Sequence, residues 1–104
     1  MNELYLVLTT TPTKKEAKSL AKALLQEHLV ACAQIHKIQS LYHWDKRIAI
    51  DKEYRLILKT TARNLQYIRD FIAQHHSYEI PQYIEINTHY ASQSYEEWVI
   101  GTLK

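Results

Sequence analysis

Glycine is nearly absent: the 104-residue chain contains one, Gly101, together with two prolines and a single cysteine. Loops that cradle phosphates or dinucleotides need several glycines, so a Walker-type or Rossmann-type phosphate site is excluded. Turns must draw on Asn, Asp, Lys or Ser instead, which predicts few turns and long hairpins. Cys32 has no second cysteine to pair with, which suits a reducing compartment. No apolar run is long enough to span a membrane. No basic segment and small-residue cleavage site flank the first β-like run, Leu4 to Leu8, so a cytoplasmic protein is expected. Charge of one sign is also lacking. The formal net charge is +2, and Lys14, Lys15, Lys18, Lys22, Arg47, Lys52, Arg55 and Lys59 are scattered along the chain, so neither a nucleic-acid nor a membrane partner is expected.

What is present is ordinary globular material, with 46% hydrophobic and 23% charged residues and an unusual eight tyrosines. A chain of this size buries roughly 65% of its unfolded surface around one core, so residues 1–104 are expected to form a single domain. Glu3 to Thr10 reads as a strand covered on both faces. Thr13-Lys14-Lys15-Glu16 is a capping-box pattern, and Ala17, Leu20, Ala21, Leu24 and His28 recur at helical spacing to about Leu29. Val30 to Tyr42 and Ile48 to Thr60 are β-rich and flank the polar reversal Trp44-Asp45-Lys46-Arg47, which predicts a long hairpin. Helical spacing returns from Thr61 to His76, with Leu65, Ile68, Phe71 or Ile72, and His75 on one side. A short strand through Tyr83, Ile84 and Ile86 follows Pro81. A short C-terminal helix, capped at Ser94-Tyr95-Glu96-Glu97, carries Trp98, Val99 and Leu103.

Two βαβ units separated by a hairpin imply an α+β, ferredoxin-like β-α-β-β-α-β sandwich with both helices on one face of an antiparallel sheet. The other face is then uncovered, and an apolar uncovered face predicts a ligand platform or a subunit interface. Tyr5, Val7, Ile57 and Tyr83 are the residues expected there. RNA-recognition domains share this element order but stack bases on aromatics after a Gly-aromatic motif. The corresponding strand here, Glu53 to Lys59, has no glycine and one aromatic, which disfavours that reading.

Particular residues resemble the CutA family, the divalent-cation tolerance proteins, along the whole chain. They are Leu8-Thr9-Thr10-Thr11-Pro12, Leu29 to Ile35, Ser40-Leu41-Tyr42-His43-Trp44, Glu53 through Leu58-Lys59-Thr60-Thr61, His76-Ser77-Tyr78-Glu79-Ile80-Pro81 and Tyr95-Glu96-Glu97-Trp98. The chain departs from the family pattern at Lys46 and Ala91, which stand where glycines are common, and at Ser77, which replaces a proline. Thr9 stands where some bacterial members have cysteine. The resemblance implies a homotrimer of P-II-like architecture, with Tyr42, Trp44 and Trp98 at its interfaces. It also implies copper or another divalent cation as ligand, and a binding or signalling role in the response to metal ions.

His75-His76 is the candidate metal pair, because imidazole is the commonest ligand for Cu(II) and Zn(II). Neighbours on a helix point apart, so the competing reading is two helix-terminal histidines favoured by the dipole. Cys32, among apolar residues on a strand, is expected to serve packing. The polar family-motif residues Tyr42, Glu53, Lys59, His76 and Tyr78 are expected to meet in an inter-subunit cleft. There they would either bind a small anion or zwitterion or form an ionic network that fixes subunit register. With no nucleophile-base pair in view, no catalytic activity is expected, an unrecognised enzyme at that cleft being the alternative.

Overall fold

The structure is a computed structural model that describes residues 3–103. In chain order the elements are β1 (Leu4–Thr11), α1 (Lys14–Gln26), β2 (Cys32–Trp44), β3 (Arg47–Thr61), α2 (Leu65–His75), β4 (Ile84–Asn87) and α3 (Gln93–Thr102). A 3-10 turn at Ala62–Asn64 leads into α2. The strands form one antiparallel sheet in the order β2-β3-β1-β4, which is the expected ferredoxin-like topology with a closing helix.

Helix α1 starts where the capping pattern placed it, since the Thr13 hydroxyl accepts from the Glu16 N–H at 3.1 Å. It ends at Gln26 rather than near Leu29, because His28 turns left-handed at φ 57°. The Leu29 and His28 N–H groups then donate back to Leu24 and Leu25, both at 3.0 Å. This is a Schellman ending in which histidine fills the position usually held by glycine.

The principal core lies between the sheet and helices α1 and α2, where Val7, Leu56 and Leu58 meet Ala17, Leu20, Leu24, Ile68 and Ile72. Tyr5 and Tyr83 pack against this same core, so Tyr5, Val7 and Tyr83 face the helices and not the open side expected for them. Alternation separates two sets of strand residues but does not say which set the helices cover. Register supplies the answer, because Val7 lies opposite the buried Leu58 and must share its face. The open face instead carries Leu6, Leu8, Ile57, Ile84 and Ile86, all of them partly or substantially solvent-exposed. One corner of it is closed, where α3 sets Val99 on Leu4 and Ala31.

The β2-β3 ladder runs from Cys32 opposite Lys59 out to Trp44 opposite Arg47, whereas β1 accompanies β3 only as far as Thr11 opposite Tyr54. Residues 38–44 and 47–53 therefore project as a two-stranded arm. Its tip is a two-residue turn in which Asp45 and Lys46 both take positive φ, 52° and 62°.

Candidate functional site

At the root of the arm a groove opens between the hairpin and the segment after α2, lined by Tyr42, Asp51, Glu53, Tyr78, Ile80 and Pro81 among others. Asp51 and Glu53 are two apart on β3 and so share a face. Each is held by a phenol. The Tyr78 hydroxyl donates to Glu53 Oε2 at 2.9 Å, and the Tyr42 hydroxyl donates to Asp51 Oδ2. Burial, followed by the bond to Glu53, pushes the Tyr78 hydroxyl up; for Tyr42 the bond to Asp51 is the main cause of a rise. Both phenols are thus donors at neutral pH, and they fix two carboxylates in a groove whose other charged lining residue is Lys52.

Of the five residues expected in the cleft, Tyr42, Glu53 and Tyr78 come together here, and His76 lies behind Tyr78 with ring centroids 5.0 Å apart. Lys59 does not join them within the chain. It sits six residues from Glu53, about 20 Å along the strand, with its ammonium 5.2 Å from the Tyr95 ring centroid. Asp51, which sequence reasoning passed over, occupies the groove instead. Its position opposite Ser40, two residues before Tyr42, was readable only once the register was known.

The two adjacent histidines have different surroundings. His75 ends α2, stacks on Phe71 at 4.1 Å, and its Nδ1–H donates to the Phe71 carbonyl at 2.8 Å, leaving one lone pair at Nε2. His76 has left the helix, at ψ 141°, and its side chain is fully buried. Its Nε2–H donates to the Thr10 carbonyl at 2.6 Å, while its Nδ1 accepts from the Tyr78 N–H at 3.0 Å. With both ring nitrogens engaged, His76 is a buried strut between β1 and the Tyr78 loop. A divalent ion needs two or more ligands converging on one point, and the pair does not supply them within one chain. Among the described residues no group of three or more His, Cys, Asp and Glu side chains could hold a metal ion. Thr9 is fully buried on the helix side of β1, its hydroxyl without a hydrogen-bond partner among the described residues, so this position is closed to solvent as well. Cys32 is a free thiol, partly exposed at the start of β2.

Ser77 anchors the Tyr78 loop in a way proline could not. Its N–H and hydroxyl donate to the two oxygens of Glu16, at 3.0 and 2.7 Å, so the carboxylate of the capping pattern is spent on tying α1 to this loop. A second tie escaped the sequence reading: Arg69 of α2 donates to both oxygens of Glu85 on β4, each at 2.6 Å, and Tyr83 adds a bond to Glu85 at 2.7 Å. Of the aromatics expected at interfaces, Tyr42 and Trp44 lie on the arm. Trp98 lies on α3, half-exposed and stacked on Tyr95 at 5.7 Å.

Comparison with known proteins matches this chain to one family along nearly its whole length. A family model described as CutA1 divalent ion tolerance protein matches residues 5–102. A probable divalent-cation tolerance protein cutA homolog of Encephalitozoon cuniculi is 36% identical over 99 residues, covering 95% of this chain and 87% of that protein. The divalent-cation tolerance protein CutA of Pyrococcus horikoshii is 33% identical over 101 residues, covering 97% and 99%. Among solved structures, CutA from Synechococcus elongatus superposes with a TM-score of 0.96 at 33% identity, covering 100% of this chain and 93% of that one.

Proposed function

Because the chain belongs to the CutA1 divalent ion tolerance family, we propose that it acts as a homotrimeric binding module in the response to divalent metal ions, without catalytic turnover. One observation carries the reading. The arm presents apolar side chains on both of its faces, Leu41, Ile48 and Ile50 on one and Tyr42 and Trp44 on the other, with Ile48 66% and Trp44 59% exposed. A two-stranded hairpin is marginal alone in water, and apolar side chains on both faces call for a covering partner. A ring of three copies supplies it. Each arm packs on a neighbour, each open sheet face turns inward, and the groove at Tyr42, Asp51, Glu53 and Tyr78 is completed by the adjacent subunit.

The groove's chemistry bears on what it takes. Two carboxylates held by phenols are oxygen ligands suited to a cation or to an amine-bearing molecule, and they work against the anion considered from sequence. Direct ion binding is therefore assigned to the groove in the assembled trimer, and not to His75 with His76. Its oxygens favour Cu(II) or Zn(II) only with a further ligand from the neighbour.

Sedimentation equilibrium at micromolar concentration should return three times the chain mass of 12.3 kDa. Calorimetric titration with Cu(II) and with Zn(II) should give saturable heat that Glu53→Gln weakens and His75→Ala leaves in place. A stable monomer removes the assembly. A trimer that takes up neither ion makes the response indirect, and a hydrolase or transferase screen showing turnover lost in Glu53→Gln overturns the non-catalytic reading.

A further inference from the structure

Helix α1 gathers lysines that the sequence leaves scattered. At about 100° per residue, Lys14, Lys15, Lys18 and Lys22 fall within roughly 100° of one another, and all four are exposed. Together with Ser19 they line one shallow groove along the helix. None of them has a hydrogen bond or an ion pair among the described residues. The placement works against the helix that carries it. Lys14 and Lys15 occupy its first turn, the positive end of the dipole, while its last turn holds no cation. Lys14 with Lys18, and Lys18 with Lys22, are like-charged pairs four apart, which destabilise a helix. Glu16, the one acid of α1, offsets little of this, because both of its oxygens are taken by Ser77. Charges set where they cost stability point to a use outside the fold.

The pattern narrows the partner. Lys14, Lys18 and Lys22 are rooted about 6 Å apart along the helix axis, the spacing at which a second helix presents residues four apart. The groove holds no arginine fork and no aromatic, so nothing in it reads or stacks a nucleobase. The apolar stripe of α1, Ala17, Leu20, Ala21 and Leu24, is buried in the core, which leaves nothing to insert into a lipid surface. Another copy of the chain is no match either. Among the described residues no helix carries two acids four apart, and Asp51 and Glu53 are already held by phenols. We propose that the lysine face of α1 is a docking surface for an acidic helical segment of another protein, whose carboxylates recur at every fourth residue. Helix α1 packs on the side of the sheet away from the open face. The surface is therefore independent of the arm and the sheet face on which the trimer reading rests, and either can fail without the other.

The test is fluorescence anisotropy of a labelled, alanine-rich helical peptide with glutamate at every fourth position, titrated with the intact protein at low and at physiological salt. A second peptide with the same glutamates spread round the helix, a labelled oligouridylate, and co-sedimentation with phosphatidylserine vesicles run in parallel. The spaced peptide should bind best, and more weakly as salt rises. Lys18→Gln/Lys22→Gln should weaken it several-fold, and Lys18→Arg/Lys22→Arg should retain it. Lys37→Gln/Arg63→Gln, which removes the same charge from exposed positions elsewhere, should leave binding in place. Because removing like charges relieves the helix, Lys18→Gln/Lys22→Gln should also unfold at a urea concentration no lower than the parent's. The proposal is overturned if the spaced peptide does not bind, if the spread peptide binds as well, or if both glutamine pairs weaken binding equally. It is also overturned if Lys18→Gln/Lys22→Gln lowers stability, which would make the lysines part of the fold. Tighter binding of the oligouridylate or the vesicles, lost in the same variant, overturns it in favour of a nucleic-acid or membrane partner.

Discussion

Glu85 is the residue whose ionisation most plainly reports on the fold. The bidentate bond from Arg69 holds its carboxyl below the usual range, burial opposes this, and the Tyr83 hydroxyl adds to the lowering. A carboxylate whose folded pKa is depressed contributes stability that is present above its unfolded value, about 4.3, and is lost as pH falls through the folded value. Glu85→Gln should therefore be less stable than the parent at neutral pH, with the gap shrinking below about pH 4 as the parent's own carboxylate takes up its proton. Urea unfolding of both proteins from pH 7 to pH 3 at fixed protein concentration checks this. A gap that stays constant, or widens in acid, would mean the pair holds nothing together. The same scale explains why the surroundings of His76 could not be read from sequence: both of its ring nitrogens are engaged, one by the Thr10 carbonyl 66 residues away and the other by the Tyr78 N–H.

The elements themselves were largely legible. Apolar periodicity and the Thr13 pattern placed both major helices and all four strands, because each signal is local and each element obeys its own period. What failed was relational. The side of the sheet that Tyr5, Val7 and Tyr83 occupy depends on which strands pair with which, and no local period carries that. Turn chemistry lies between these cases. The scarcity of glycine predicted turns built on Asn, Asp, Lys or Ser, and the structure places Asp45 and Lys46 at positive φ, together with His28, which that reading did not include. A left-handed residue with a side chain costs roughly 1–2 kcal/mol, part of which a glycine returns through its larger unfolded entropy. Lys46→Gly should accordingly raise stability by about 0.5–1 kcal/mol with no change in assembly, measured as a shift in urea midpoint at unchanged slope. Loss of stability on this change would show that Lys46 makes contacts that outweigh its strain.

At the scale of the whole molecule, shape is the argument. The chain has a radius of gyration of 14.4 Å and extents of 44 × 26 × 22 Å, against about 13 Å expected for a compact domain of this length. The excess length follows the direction in which β2 and β3 outrun β1. An extended arm with apolar side chains on both faces is costly unless another copy covers it, and in a closed ring every arm contact occurs three times. Burying one isoleucine is worth roughly 1.5–3 kcal/mol, so replacing Ile48 and Ile50 with lysine removes that amount from each contact and adds charges that resist burial. Both side chains are exposed in the single chain, so the fold of each subunit should survive. The double variant Ile48→Lys/Ile50→Lys should therefore sediment at 12.3 kDa at micromolar concentration, where the proposed trimer puts the parent at three times that mass, with an unchanged far-ultraviolet circular dichroism spectrum. If the variant keeps the parent's mass, the arm is not what joins the subunits. The apolar face of the sheet, with Ile57, Ile84 and Ile86, would then have to carry the assembly alone.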